Sequence, residues 1–255
     1  MTQFAIGTLF AAVVAIVAYR VRALSASGAL AAFAVGAIVF ARGGWPAASV
    51  LFAFFIPSTL LSRIGAQHKR SLAEDEQHAA RNGWQVLANG SVAAACTLAG
   101  PALATAFAGA FAAASADTWA TEIGLLSRAA PFSILTLRPL RAGISGGVTA
   151  LGLAATLGGA LVVAGVASLA GYGPLLAVAL GGIAGALLDS LAGATLQALR
   201  WCPACERECE ARRHSCGSPT LLRRGISWIE NDAVNFLATL GGAAVAFVAA
   251  QLWHR

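Results

Sequence analysis

The sequence predicts an all-α fold: a polytopic membrane helix bundle of about eight transmembrane segments, one of them broken or re-entrant. Three observations carry this. Of 255 residues, 58% are hydrophobic and only 11% charged, with a mean hydropathy of +0.74, which excludes an ordinary soluble domain. Apolar runs of about twenty residues, enough to cross the hydrocarbon core as helix, recur along the chain. Strand-like alternation is absent, which argues against a β-barrel. No polar linker of domain length interrupts the runs. Residues 1–255 therefore read as a single integral membrane domain, with a Cys/His-rich loop at 200–229 inserted between the last two helices.

The segments fall at about 3–19, 24–41, 45–62, 84–100, 101–126, 143–170, 173–199 and 231–252. The first lacks a basic n-region and runs directly into Arg20 and Arg22, so it reads as a retained helix rather than a signal peptide. The fourth and fifth are joined by Ala99, Gly100 and Pro101, a tight turn. The sixth is long and Gly-rich, so its start is expected to be unwound or re-entrant. The sixth and seventh meet through Gly171, Tyr172, Gly173 and Pro174. Within the seventh, Gly181, Gly182 and Gly185 allow close helix approach.

Charge sets the expected orientation. All but Arg42 and Arg255 of the 17 lysines and arginines fall in the odd-numbered connections. Basic loops stay in the cytoplasm. The chain thus reads as a multi-pass protein of the inner (cytoplasmic) membrane, with both termini outside. The formal charge of +6 is spread over loops. It points to topology and phosphate binding, not nucleic acid.

Carboxylates interrupt this pattern. Asp117 and Glu122 lie near the cytoplasmic end of the fifth segment, Asp189 in the seventh, and Asn231, Asp232 and Asn235 open the eighth. Asn89 lies one to two turns into the fourth. A charge at membrane depth costs several kcal/mol unless it pairs, binds a cation or faces water. Asp232 and Asn231 also suit a helix cap, and Glu122 an interfacial position. Asp117 and Asp189 are harder to explain by structure alone. Grouped at one depth, these oxygens suit a hard cation, above all Mg²⁺. Lys69, Arg70, Arg81, Arg138 and Arg141 face the same side, and carboxylates, metal and basic groups together are what phosphoryl transfer needs. Gly143, Ser145, Gly146 and Gly147 open the sixth segment. They suit either packing or a phosphate seat of backbone N–H groups. A proton or cation path would use the same carboxylates, so a transporter or lipid flippase is the competing reading. A phosphatase or synthase is a third.

Four of the five cysteines share one loop. Cys202, Cys205, His214 and Cys216 form a CxxC and HxCG pattern that fits structural zinc, with Cys209 spare. Cys96 reads as a small core residue.

The runs QVLANG, ADTWATEIGLLS, RAGISGGVTALG, LLDSLAGATLQ, CPAC with HSCG, and WIENDAVNF occur in this order. Together they resemble domain-of-unknown-function family 92, an integral membrane family with transmembrane protein 19-like and phytyl-phosphate kinase-like members. The resemblance covers about residues 65 to 250. It implies a membrane-embedded transferase that converts an isoprenoid monophosphate to the diphosphate, using a nucleoside triphosphate of the CTP kind at the cytoplasmic leaflet. Asp117, Glu122, Asp189 and Asp232 would hold Mg²⁺ and nucleotide. Lys69, Arg70, Arg81 and Arg141 would hold phosphates, and Asn89 and Asn235 would orient metal or acceptor. The expected partners are membrane lipid, the isoprenoid phosphate and the nucleotide, with a homodimer left open. No GxxxxGK[ST] motif occurs, which excludes a P-loop kinase.

Overall fold

A computed structural model describes residues 2–72 and 80–253; the side chains of Thr2, Gln3, Arg70 and Ser71 lie outside that description. The phosphate role expected of Arg70 therefore falls on a side chain that is not described. The described chain is mostly helical: α1 (Thr2–Arg20), α2 (Ala26–Leu61), α3 (Ala66–Leu72), α4 (Gly83–Ala99), α5 (Ala104–Gly124), α6 (Ala150–Leu169), α7 (Leu175–Thr195) and α8 (Asn231–Trp253). Four of these, α2, α6, α7 and α8, are long and apolar enough to cross a membrane.

The second and third expected segments form one 36-residue element, α2, broken at Gly44. A straight helix of that length would span about 54 Å, far more than a bilayer core of about 30 Å. Gly44 adopts φ 60°, ψ −153°, which a side chain would resist. The chain reverses there. Arg63, just past the second limb, donates from Nη2 to Val21 O at 2.9 Å, so both ends of α2 meet at the α1–α2 corner. The broken helix is thus at Gly44. The sixth segment is unwound at its start, as the glycines suggest, and becomes helical only at Ala150, where the Thr149 side chain accepts from Gly152 N.

The all-α expectation needs correcting in the loops. Strands β1 (Phe132–Ser133) and β2 (Gly147–Val148) pair antiparallel. Strands β3 (Leu199–Cys202), β4 (Arg207–Cys209) and β5 (Leu221–Arg224) form an antiparallel sheet in the order β4-β3-β5. Strands this short, with no alternating apolar face, leave no periodicity to read.

Helix α5 is the central rod. Its residues Ala106 to Ala116 are all buried, against α6, α7, α8 and α4. Small residues allow this closeness. A Cβ on Gly185 would strike Ala113 Cβ and approach Ala238 O, and one on Gly242 would meet Ala113 Cβ and Gly181 O. Outward positions stay apolar instead, as at Leu9, Leu30 and Leu169.

The connections sort to two ends. At one end, Arg81 N donates to Ala23 O, Lys69 pairs with Glu122, and Ser145 N donates to Glu210. At the other, Arg42 Nη2 reaches Leu98 O and Tyr172 O–H reaches Gly43 O. The odd-numbered connections, rich in arginine, therefore share one end of the molecule.

Candidate active site

At the arginine-rich end the tight packing of α5 opens. Beyond Ala116 the helix turns Asp117, Thr118, Thr121 and Glu122 into a cavity of about 670 Å³. Helix α4 contributes Gln85 and Asn89, α7 contributes Asp189 and Ser190, and the first turns of α8 contribute Asn231, Asp232 and Asn235. Arg81, His68, Arg128 and the 142–149 loop close the mouth. The expected carboxylates and amides therefore do converge.

Asp117 and Asp189 face each other across the α5–α7 interface within hydrogen-bonding reach. Two carboxylates have no proton to share when both are ionised. Such a pair needs a proton or a cation between them. Asp189 Oδ2 is buried with no hydrogen-bond partner among the described residues, and so is Asn89 Oδ1, whose Nδ2 donates to Gln85 O at 2.9 Å. Asn235 Nδ2 likewise donates back to Asn231 O, at 2.9 Å. Both amides are thus turned by their own helix, which fixes where the other end points. The donor set is all oxygen and fits Mg²⁺ better than a thiophilic metal. Asp232 is the second residue of α8 and lines the cavity, so a bare capping role does not describe it.

Lys69 has a different place from the one expected. It is fully buried, with its Nζ 2.6 Å from Glu122 Oε2 and 2.8 Å from Leu61 O. It stands behind the cavity wall and neutralises Glu122, rather than reaching the cavity itself. Arg81 does reach it. Its backbone is clamped to the α1–α2 corner by Ser25 N and Ala23 O. Burial pushes the Arg81 guanidinium below its ordinary range, while Glu122 and then Asp117 pull it back up.

The glycine loop is unwound and lines the cavity, with Gly143 and Gly146 in turns and Gly147 in β2. Gly146 sits at φ 82° with Ala194 where its Cβ would be. The Ser145 amide donates to Glu210 Oε1 at 2.7 Å, and Gly147 N to Ile144 O. The anion seated on Ser145 N is the chain's own carboxylate. Arg138 and Arg141 do not line the cavity, and Arg141 Nη1 reaches Glu208 O at 3.4 Å. Sequence reasoning missed Gln85, Thr118, Thr121, Ser190, His68 and Arg128 as wall residues. The threonines were legible as the same face of α5 as Asp117 and Glu122, three to four residues apart.

An apolar groove of about 80 Å³ runs beside the cavity between α1, α2 and α4, lined by Phe10, Val14, Val35, Phe52 and Phe54 among others. Arg81, Gln85 and Asn89 belong to both walls, so groove and cavity meet there.

In the 200–229 loop, the ligand atoms of Cys202, Cys205, His214 and Cys216 all lie within 4.8 Å of one another. Cys209 is set apart, its Sγ reaching Ala211 O. None of these cysteines is in a disulfide.

The family model described as integral membrane protein DUF92 matches residues 9–243. The chain belongs to that family. Among its relatives is Protein PGR of Arabidopsis thaliana, 31% identical over 91% of each chain. An uncharacterized membrane protein of Methanocaldococcus jannaschii is 29% identical over 94% of this chain and 91% of its own. Another, from Synechocystis, is 29% identical over 84% of this chain and 78% of its own. No solved structure matches this DUF92 chain.

Proposed function

We propose that this DUF92 protein is a membrane-embedded, Mg²⁺-dependent phosphotransferase. It would convert an isoprenoid monophosphate to the diphosphate, using a nucleoside triphosphate of the CTP kind. The facing pair Asp117 and Asp189, with the orphaned Asp189 Oδ2, carries the reading. Asp117, Asp189 and Asp232 would hold the metal, helped by the amide oxygens of Asn89, Asn231 and Asn235. Bound there, Mg²⁺ would neutralise the phosphate oxygens and align donor with acceptor.

The rest falls to the chain's own side chains. Arg81 and Arg128 supply positive charge at the cavity mouth for the two phosphate groups. Glu122, held by Lys69, keeps Arg81 aimed inward. The acceptor is already an anion, so no general base is required. Its phosphate oxygen forms the new P–O bond as the bond to the departing nucleoside diphosphate breaks. The apolar groove joined to the cavity at Arg81, Gln85 and Asn89 suits a substrate with an anionic head and a hydrocarbon tail. The first part of the tail would lie between α1, α2 and α4, and the remainder in lipid.

The same reading has eight crossings, counting the two limbs of α2 separately, with the cavity on the cytoplasmic leaflet and both termini outside. Transport is less favoured. The cavity wall begins at Asp117, and the preceding stretch of α5 is buried and, but for Ser115, apolar, filled by Phe107 and Phe111.

The deciding experiment incubates purified protein with Mg²⁺, labelled nucleoside triphosphates and a panel of prenyl alcohols and prenyl phosphates. Labelled prenyl diphosphate that disappears on chelation supports the assignment. Absence of nucleotide consumption with every acceptor, alongside ion or lipid flux in vesicles, overturns it.

A further inference from the structure

The 199–230 segment folds into a small sheet with little to hold it. Its buried apolar residues are few, chiefly Leu199, Cys202, Cys209 and Ile229, while Leu221, Leu222 and Trp228 are exposed. A unit this size rarely folds on its own core and needs a cross-link or a metal. No disulfide joins its cysteines.

Two tight turns face each other instead. In each, a ligand-type residue is followed by a cysteine, three positions later in the first turn and two in the second, and the next residue lies in the left-handed region: Cys202, Cys205 and Glu206 (φ 50°), then His214, Cys216 and Gly217 (φ 86°). Cys202 lies where β3 ends and pairs with Arg207 across the hairpin. The second turn is closed by Gly217 N donating to His214 O at 2.8 Å and His214 N to Ser218 O at 3.0 Å. The Sγ atoms of Cys202 and Cys216 are 3.7 Å apart. Zinc–sulfur bonds of ~2.3 Å in a tetrahedron place sulfurs ~3.8 Å apart.

Between the two turns runs β4, and it touches the cavity loop. Glu210, next after Cys209, accepts from Ser145 N at 2.7 Å and from Gln197 Nε2 at 2.7 Å. Arg141 donates to Glu208 O, Glu208 pairs with Arg223 at 3.2 Å, and Arg212 pairs with Glu230 just before α8 at 2.6 Å. The sheet thus grips the 141–147 loop, the end of α7 and the start of α8, all three of which supply cavity wall.

We propose that Cys202, Cys205, His214 and Cys216 bind one structural zinc ion, and that this zinc knuckle braces the cavity mouth through Glu210. The ion closes a coordination shell of three sulfurs and one nitrogen, with no open position, so it takes no part in chemistry. Its binding is the folding energy of the loop. The inference stands whatever reaction the cavity performs.

The test uses the full chain in detergent or nanodiscs. Elemental analysis of the wild type, after exposure to zinc chloride and desalting, should give about one zinc per chain, and X-ray absorption at the zinc edge should show sulfur-dominated ligation with one nitrogen. Cys209→Ser should keep the metal and Cys205→Ser should lose it. Hydrogen exchange then reads the brace. Removing zinc with a chelator should speed exchange at 143–149 by at least tenfold, and Glu210→Gln should speed it with zinc still bound. Wild type that takes up no zinc, or ligation by oxygen, overturns the site without requiring any variant to fold. Unchanged exchange at 143–149 after zinc loss overturns the brace.

Discussion

The two halves of the α5 rod solve opposite problems with the same neighbours. From Ala106 to Ala116 the helix is sealed against α6, α7 and α8 through close glycine–alanine contacts such as Gly182 on Ala112, Gly185 on Ala113 and Gly109 on Ala246, with Phe107 and Phe111 filling the gap toward α2 and the 170s turn. From Asp117 to Glu122 the same helix faces a cavity lined by three aspartates and three asparagines from α4, α5, α7 and α8. Tight backbone contact in one half fixes the helices. Their fixed positions then bring Asp117 and Asp189 face to face in the other, a placement neither carboxylate would choose without a cation or proton. The lesson is that packing supplies the free energy that holds an electrostatically unfavourable site together.

Substitutions can separate the halves. The largest effect is expected from Asp117→Asn and Asp189→Asn. Each should lower Mg²⁺-dependent turnover by at least about a hundredfold. Each should also abolish the rise in melting temperature expected on Mg²⁺ binding, while the metal-free melting temperature holds or rises as the repulsion is relieved. A retained Mg²⁺ shift in both variants would remove the metal from this pair. Next comes Lys69→Met, which strands Glu122 as a buried, unpaired charge. Denaturation should show a loss of about 3–5 kcal/mol, and Glu122→Gln in the same chain should restore part of it.

Gly185→Leu attacks the sealed half alone. Overpacking against Ala113 and Ala238 should cost about 1–3 kcal/mol of stability, yet the Mg²⁺ shift should persist. If the shift vanished with stability only mildly lowered, the two halves would be coupled more tightly than their separate contacts imply. Asn89→Ala should weaken Mg²⁺ affinity by about tenfold, readable by calorimetry. Arg138→Ala, outside the wall, should leave stability within about 0.5 kcal/mol and turnover within about twofold.

The comparison also shows what could be read along the chain. Apolar runs broken by Arg20, by Gly100 and Pro101, and by Gly171 to Pro174 mark helix ends within a few residues, because desolvation of backbone groups forces helix wherever an apolar run is long enough. Aspartates in those runs stand out for the same reason: there they are costly. Lys69 and Arg141 were misleading. Both sit on the correct end, but charge in a loop says nothing about which way a flexible side chain turns. Glu210 was invisible, one acidic residue in the run CERECEARR, and only its contacts with Ser145 and Gln197 distinguish it.

Length, hydropathy and the asymmetry of arginine are properties of a chain segment against its solvent, and they specify helices, a membrane and a basic end without reference to any partner residue. Which carboxylates meet, which cation turns inward and which loop a small cysteine-rich sheet holds in place are relations between distant segments. These depend on contacts a few ångströms long, such as Gly185 against Ala113, and they exist only once the helices have closed on one another.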